Sequence, residues 1–504
     1  MRRLIFGLCL MGGVLSAVSP ALAGDGDVDT SWGGTGVVRL GISDYDWVQE
    51  IATYGSSGVE VAGSVETSGL GTGFDTLLLM RFRTDGTLDT TCNGSGYTML
   101  TTPDRVSTSD MTVLPDGSTV MVATIESTLP QGMIVKYTPT CALDQGFGVG
   151  GIVTYTDRLG VRFSTVDTDG NGSIVVGGTT YFAPVDGGDS RFTVIRTDPS
   201  GQFDTSFGVL NNGVFVSDGT HEGRVNDLLV DPAGRVVFVG VQNKPSDDDA
   251  VIGRLSITGV PDQDFAGSGW YSRGDGDDET LYSIATRPGG GVVAVGGDFA
   301  PLTPLFLGAL VCLTANGSPD TSCGVPGPVV GINLPNGSVE FQFWSVVVDD
   351  SGRFVIAGYY IDPTLSGGAV TPMVIRLLPD GSPDPTFGVG GLVTAPFAPA
   401  HATDIALDQS GRILVGGHEF TQNATEGPVS RLAASTTTTT TSTTTTIPTP
   451  ATSVPIVTVS TVSVEALPDT GSPTSTLPFA LLATGIGTLV ILSRRRSNIP
   501  YHRG

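Results

Sequence analysis

Histidine is scarce in this chain: four copies in 504 residues, of which only His221, His401 and His418 fall in its central part. None has a zinc-type spacing to another or a cysteine beside it, and no G-x-S-x-G elbow occurs. Zinc chemistry and Ser-His or Cys-His hydrolysis therefore have no support in the sequence. Charge is sparse and one-sided, with 15% charged residues and a net charge of −25. Such a chain repels phosphate backbones, which excludes nucleic acid as a partner and favours a cationic ligand or a metal ion. Runs of Ala, Glu, Lys and Leu that build long helices are few. Glycine is abundant at 71 residues, and Val and Thr are common. Short strands joined by tight turns follow, and the class is all-β.

Long apolar runs are confined to the two ends. Arg2 and Arg3 precede an apolar stretch from Leu4 to Val18, and Ala21-Leu22-Ala23 is a small-x-small cleavage site. Residues 1–23 are expected to be a secretory signal peptide, since the apolar core is shorter than the ~20 residues a membrane helix needs. Cys9 is lost with it, and four cysteines remain, Cys92, Cys141, Cys312 and Cys323. Outside the cell an even count favours disulfides.

Residues 24–434 repeat one unit. Its clearest copy is Asp204-Thr205-Ser206-Phe207-Gly208 followed by Gly213, and equivalent aspartates stand at Asp29, Asp89, Asp144, Asp204, Asp262, Asp320 and Asp384. Spacings of 55 to 64 residues are too long for solenoid repeats and suit one four-stranded propeller blade each. Within each unit x-Gly pairs between β-rich runs mark hairpins, as at Ala233-Gly234 and Ser410-Gly411. An Arg or Lys stands eight residues before the aspartate in five units: Arg81, Lys136, Arg196, Arg254 and Arg376. A pair repeated in this way is expected to be architectural.

These residues resemble the delta-60 repeat, a bacterial unit of about sixty residues with a D-x-S-F-G-x-x-G core, over the whole of residues 24–434. The resemblance implies exported proteins and names no chemistry. Trp32, Cys92 and Cys323 depart from the motif Phe, and Ala266 from its first Gly. No motif follows Arg431, while Asp29-Thr30-Ser31-Trp32-Gly33 stands alone at the N-terminus. A seven-bladed propeller closed by its N-terminal segment accounts for both loose ends. An open β-solenoid is the alternative. By position in the repeat, Cys312 is expected to pair with Cys323 and Cys92 with Cys141, although four cysteines allow three pairings.

The hairpin turns and motif segments emerge on one face of such a ring and vary little. The opposite loops vary in length and are the expected place for a binding site. They are acidic, with Asp247, Asp248, Asp249, Asp275, Asp277, Asp278 and Glu279 as the candidate ligand or cation face, and they carry aromatics including Trp47, Trp270 and Tyr359. Clustered carboxylates could hold Ca²⁺ or receive a basic patch, and a solvated acidic surface is the plain alternative. Asp167-Thr168-Asp169-Gly170-Asn171-Gly172 begins like a calcium loop but lacks its Glu and aligns with the hairpin turns. Arg273-Gly274-Asp275 spells an integrin-type tripeptide that short length makes weak evidence. No catalytic residue is assigned, and a hydrolase working with paired carboxylates stays open.

From residue 435 to 466 the chain is rich in Thr, Ser and Pro, which cannot build a core, and it reads as an extended stalk reaching on the order of 100 Å. Then come Leu467-Pro468-Asp469-Thr470-Gly471, an apolar run at 477–492 and Arg494-Arg495-Arg496. This closely resembles the LPxTG sorting signal of Gram-positive surface proteins. The resemblance implies cleavage by a sortase between Thr470 and Gly471 and attachment of Thr470 to peptidoglycan. A permanent membrane anchor is the alternative, but sixteen apolar residues in helix reach only ~24 Å of a ~30 Å core. The sequence thus predicts a wall-anchored extracellular protein whose propeller binds an unidentified protein or glycan. A wall-bound hydrolase and a structural coat component are the rivals.

Overall fold

A computed structural model describes residues 24–434 except 44–45, 57, 68–73, 183–188, 246, 275, 277, 301–304, 325–326, 329–333, 365–368, 398–399 and 421–424. The chain divides into two compact units, Met1–Thr436 and Thr437–Gly504, and every described residue belongs to the first. The expected signal peptide, stalk and sorting motif Leu467 to Gly471, and the candidate residues Asp275 and Asp277, lie outside the described residues. Among the described residues no helix is long and apolar enough to cross a membrane.

Seven antiparallel sheets are present, and their innermost strands are Asp46–Tyr54, Arg105–Val113, Val161–Thr168, Gly223–Val230, Asp278–Thr286, Phe341–Val348 and Ala400–Leu407. Each packs against the next and the last returns to the first, so the ring is closed and the open solenoid is ruled out. We number the blades 1 to 7 in this order. In blades 1 to 6 the strands lie in chain order from the axis outward. In blade 7 the outermost strand is Val37–Arg39, paired with Pro428–Leu432, so the N-terminal segment seals the ring.

The pattern of burial explains the architecture. Second strands such as Gly58–Val65 are buried throughout, because neighbouring blades cover both their faces. Seven separate apolar clusters hold the ring, one at each interface between adjacent blades. Each innermost strand carries a β-bulge at the same place, as between Val225 and Asp227. The bulge drives a carbonyl of the inner strand against the second strand. A Cβ added at Gly63, Gly178, Gly240, Gly296, Gly358 or Gly417 would strike the carbonyl of Trp47, Arg162, Arg224, Thr280, Gln342 or His401 respectively. Six of the seven bulges thus face a glycine, and in blade 2 Ala123 takes that place.

The repeat motif ties each blade to the next. Asp204 accepts from the backbone and hydroxyl of Ser206 through Oδ1 (2.9 and 2.7 Å) and from Arg196 Nε through Oδ2 (2.7 Å). Arg196 lies over the Phe207 ring at 4.6 Å and donates to the Ile257 carbonyl of the following blade (2.8 Å). Burial alone would raise the Asp204 carboxyl, but Ser206 and the Arg196 charge hold it below its ordinary value. Arg254 with Asp262 and Phe265, and Arg431 with Asp29 and Trp32, repeat the clasp. Arg376 pairs with Asp384 and also with Asp25, which stands in for a following blade at the seam. Lys136 and Asp144 form a longer version at 3.4 Å.

Two blades differ from the expected pairing. In blade 1, Arg81 turns to the buried Glu60 at 3.1 Å, and Asp89 accepts from the Tyr54 hydroxyl at 2.6 Å. In blade 5, where Cys312 replaces the basic residue, Arg287 reaches Asp320 at 2.7 Å. Bonds from Ser322 and Arg287 lower that carboxyl to about 2. Disulfides join Cys312 to Cys323 within blade 5, and Cys92 of blade 1 to Cys141 of blade 2.

Candidate functional site

The seven inner strands line a channel whose wall is built in layers set by the bulges. One layer consists of the residue just after each bulge: Glu50, Asp110, Thr165, Asp227, Ser283, Ser345 and Asp404, every one an oxygen-bearing side chain. Their oxygens bond around the ring. Asp404 accepts from Ile51 N (2.8 Å) and Ser345 Oγ (2.8 Å), Asp110 from Val166 N (2.7 Å), and Asp227 from Ile284 N (2.9 Å) and Thr165 Oγ1 (3.0 Å). The rule is simple: the side chain of one blade accepts the N–H one residue beyond the matching position of the next.

Four carboxyls in one narrow ring cannot all ionise freely. Burial pushes Asp227 up to about 6, and burial with repulsion from Asp404 and Asp110 raises Glu50 well above its ordinary value. Asp110 is raised strongly by burial and by Asp227, and Asp404 is raised by burial. Glu50 and Asp404 face each other across the seam between blades 7 and 1, and each acts on the other's carboxyl. Beyond this belt, toward the motif face, the channel opens into a cavity of ≈ 400 Å³ lined by Asp167 and by apolar residues including Leu229, Ile284 and Val346.

On the other side of the belt, toward the variable face, lie the bulge residues themselves. Ser109, Ser164, Asn226 and Thr403 each donate to the carbonyl preceding the bulge of the next blade, at Phe163, Val225, Leu281 and Val48 (2.7, 2.6, 2.7 and 3.3 Å). Gln49 of blade 1 shows no such bond among the described residues, and blades 5 and 6 place Tyr282 and Trp344 there, which stack on each other at 4.6 Å, while the Tyr282 hydroxyl accepts from Gln342 Nε2 of blade 6 at 3.3 Å. Trp344 lies 6.4 Å from His401, which stacks on Tyr359 and His418, and His418 lies parallel to Trp47 at 4.6 Å. An aromatic arc therefore spans blades 5, 6, 7 and 1 at the channel mouth. Burial lowers His401 to about 4, and burial with His401 lowers His418 to about 3, so both rings are neutral at pH 7. The Trp344 indole N–H is shut away from solvent and has no acceptor among the described residues.

The acidic loop residues take a different part. Asp249 is buried, ion-paired with Lys244, and accepts from Ser272 Oγ (2.7 Å). Glu279 is buried and pairs with Arg273 at 2.9 Å, and Asp298 joins the same guanidinium at 3.1 Å. Asp278 accepts from the Asp248 backbone (3.1 Å), and burial raises the Asp248 carboxyl. Asp249, Glu279 and Asp298 are thus matched by cations of the chain, and the Arg224 charge acts on Asp248. Among the described residues no group of three or more His, Cys, Asp or Glu side chains is arranged to hold a metal ion. Asp169 closes the hairpin turn before Ser173, as its alignment with the other turns implies.

Of the aromatics expected on the variable loops, Trp47 and Tyr359 belong to the arc, whereas Trp270 packs against His221, Phe192 and Phe238. Tyr282, Trp344, His401 and His418 were not foreseen as a site. Their signal is a polar position repeated in every inner strand, readable only once the bulges fix the alignment.

A family model described as a domain of unknown function (DUF5122) beta-propeller matches residues 170–207 and 351–387. Each match runs from a hairpin turn through two strands to the motif Phe, in blades 3 and 6. No curated protein is significantly similar in sequence. Among solved structures, a protein of unknown function from Dyadobacter fermentans is similar at 12% identity and a TM-score of 0.40, covering 68% of this chain and 99% of that one. The β-propeller domain of the trilobed protease from Pyrococcus furiosus is similar at 8% identity and a TM-score of 0.41, covering 77% and 93%. A gluconolactonase from Xanthomonas campestris is similar at 12% identity and a TM-score of 0.32, covering 79% and 100%.

Proposed function

We propose that the propeller is the recognition module of an exported surface protein, held at the cell wall through its C-terminal sorting signal, with the channel mouth on the variable face as its contact site. One observation carries the reading of the mouth. Four of the seven blades spend the bulge residue on a bond to a carbonyl of the next blade, whereas blades 5 and 6 carry there the half-buried, mutually stacked rings of Tyr282 and Trp344. Departures of a repeat from its own structural rule are expected at functional sites, and no replacement bond to the carbonyl of the next blade accompanies Trp344. The hydrolase alternative is weaker because Asp110, Asp227 and Asp404 are engaged in bonds that hold the blades together.

The test is a binding screen with residues 24–434, which contain every strand of the closed ring, against matrix proteins, glycans and wall polymers. The expected result is a saturable ligand lost in Trp344→Ser. Product release from a glycan, abolished at one or two acids, would favour the hydrolase instead. Anchoring is tested separately. Thr470→Ala should shift the protein out of the covalently wall-bound fraction, and an unchanged wall fraction would refute the sortase route.

A further inference from the structure

We propose that the channel mouth takes an organic cation, an ammonium group bearing methyl or methylene substituents, lodged against Tyr282 and Trp344 above the carboxyl belt. This rests on the mouth being the contact site and adds the chemical class of the ligand. Three features converge on that class. Aromatic ring surface attracts ammonium groups through its quadrupole, and it suits substituted ones because the substituents lose little hydration on burial. Tyr282 and Trp344 adjoin Ser283 and Ser345 of the belt, in which Asp227 of the neighbouring blade 4, pushed up only to about 6, carries negative charge at pH 7. The rest of the mouth adds little opposing charge. His401 and His418 are neutral, Arg162 is ion-paired with Glu126, and the Arg224 charge acts on Asp248.

A metal ion fits the mouth less well, since the belt oxygens point around the ring to backbone N–H groups and form no metal-holding group among the described residues.

The experiment is calorimetric titration of residues 24–434 with choline and with its uncharged isostere 3,3-dimethylbutan-1-ol, each repeated on Trp344→Ser. Choline should bind at least tenfold more tightly than the isostere, and Trp344→Ser should abolish the difference. Because Ser is the residue that blades 2 and 3 carry at this place, the variant should keep its cooperative thermal transition. Should it unfold, Tyr282→Asn, which copies the residue of blade 4, serves in its stead. Equal binding of the two probes, or of neither, while an uncharged glycan binds in a Trp344-dependent way would overturn the inference and leave the contact site standing. Calcium binding that survives Trp344→Ser and competes with choline would assign the charge to a metal site and also overturn it. Failure of every ligand at the mouth would remove both readings.

Discussion

Holding one blade to the next is done three times over at the level of single residues. At the rim an Asp fixes a turn, orients an Arg and lets it lie on a Phe while reaching the next blade. At the channel a side chain accepts the N–H of its neighbour, and one layer above a small donor reaches a carbonyl. The rim clasp was readable in sequence because it recurs with constant spacing, and Arg196, Arg254 and Arg376 meet their aspartates as that spacing implies. Arg81 does not, because the acid Glu60 opposite it on the neighbouring strand offers a buried partner that no spacing rule reveals. Arg254→Ala should cost about 2–4 kcal/mol in urea unfolding, since it strands Asp262 and the Ala315 carbonyl. A cost under about 0.5 kcal/mol would show the clasp to be dispensable.

The belt makes a pH prediction at the same scale. Asp227 titrates near 3.8 in the unfolded chain and at about 6 in the ring, so the fold prefers its protonated form. Its contribution is whole below about pH 3.8 and is lost as the pH rises through about 6, a change of at most about 3 kcal/mol. His401 and His418 act oppositely: their contribution is present above pH 6.5 and is lost as the pH falls toward about 4 and about 3. The two effects overlap, so the comparison of Asp227→Asn with the parent isolates the carboxyl. Relative to the parent, the variant should gain stability as the pH rises from about 4 to about 7, by at most about 3 kcal/mol, and parallel curves would contradict the shift.

At the scale of elements, the strand Val37–Arg39 and the segment before it decide whether the ring is closed. They bury Trp32 and pair Asp29 with Arg431 and Asp25 with Arg376, joining residues 402 and 351 positions apart in the sequence. This was legible because a motif without strands stood at one end and strands without a motif at the other. Deleting residues 24–39 should cost at least about 5 kcal/mol, since loss of a buried Trp alone costs about 3–5. Retention of the parent transition temperature would show that the seam is not structural. The Cys92–Cys141 link, with a sequence separation of 49, should contribute about 4 kcal/mol, measured as the change in unfolding midpoint on adding reductant to a Cys312→Ala/Cys323→Ala background. The β-bulges, by contrast, were not legible. They leave no composition signature beyond a glycine on the facing strand, and without them the alignment of Tyr282 and Trp344 with Ser109, Ser164, Asn226 and Thr403 cannot be drawn.

For the molecule as a whole, the repeats gave the number of blades and the motif gave their rim, because both are written in nearly every copy. A ligand site is written once, in the departures from the copies. Lys244 and Arg273 answer the carboxylates of Asp249 and Glu279, while the departure from the repeat at Tyr282 and Trp344 sits at the channel mouth. The most direct test restores the repeat rule there. In the double variant Tyr282→Asn/Trp344→Ser, each new side chain can donate to the next blade as its counterparts do, so unfolding stability should stay within about 2 kcal/mol of the parent while ligand binding is lost. If stability collapses and the residual folded protein binds as the parent does, the two rings serve the architecture, and the channel mouth is not where this protein meets its ligand.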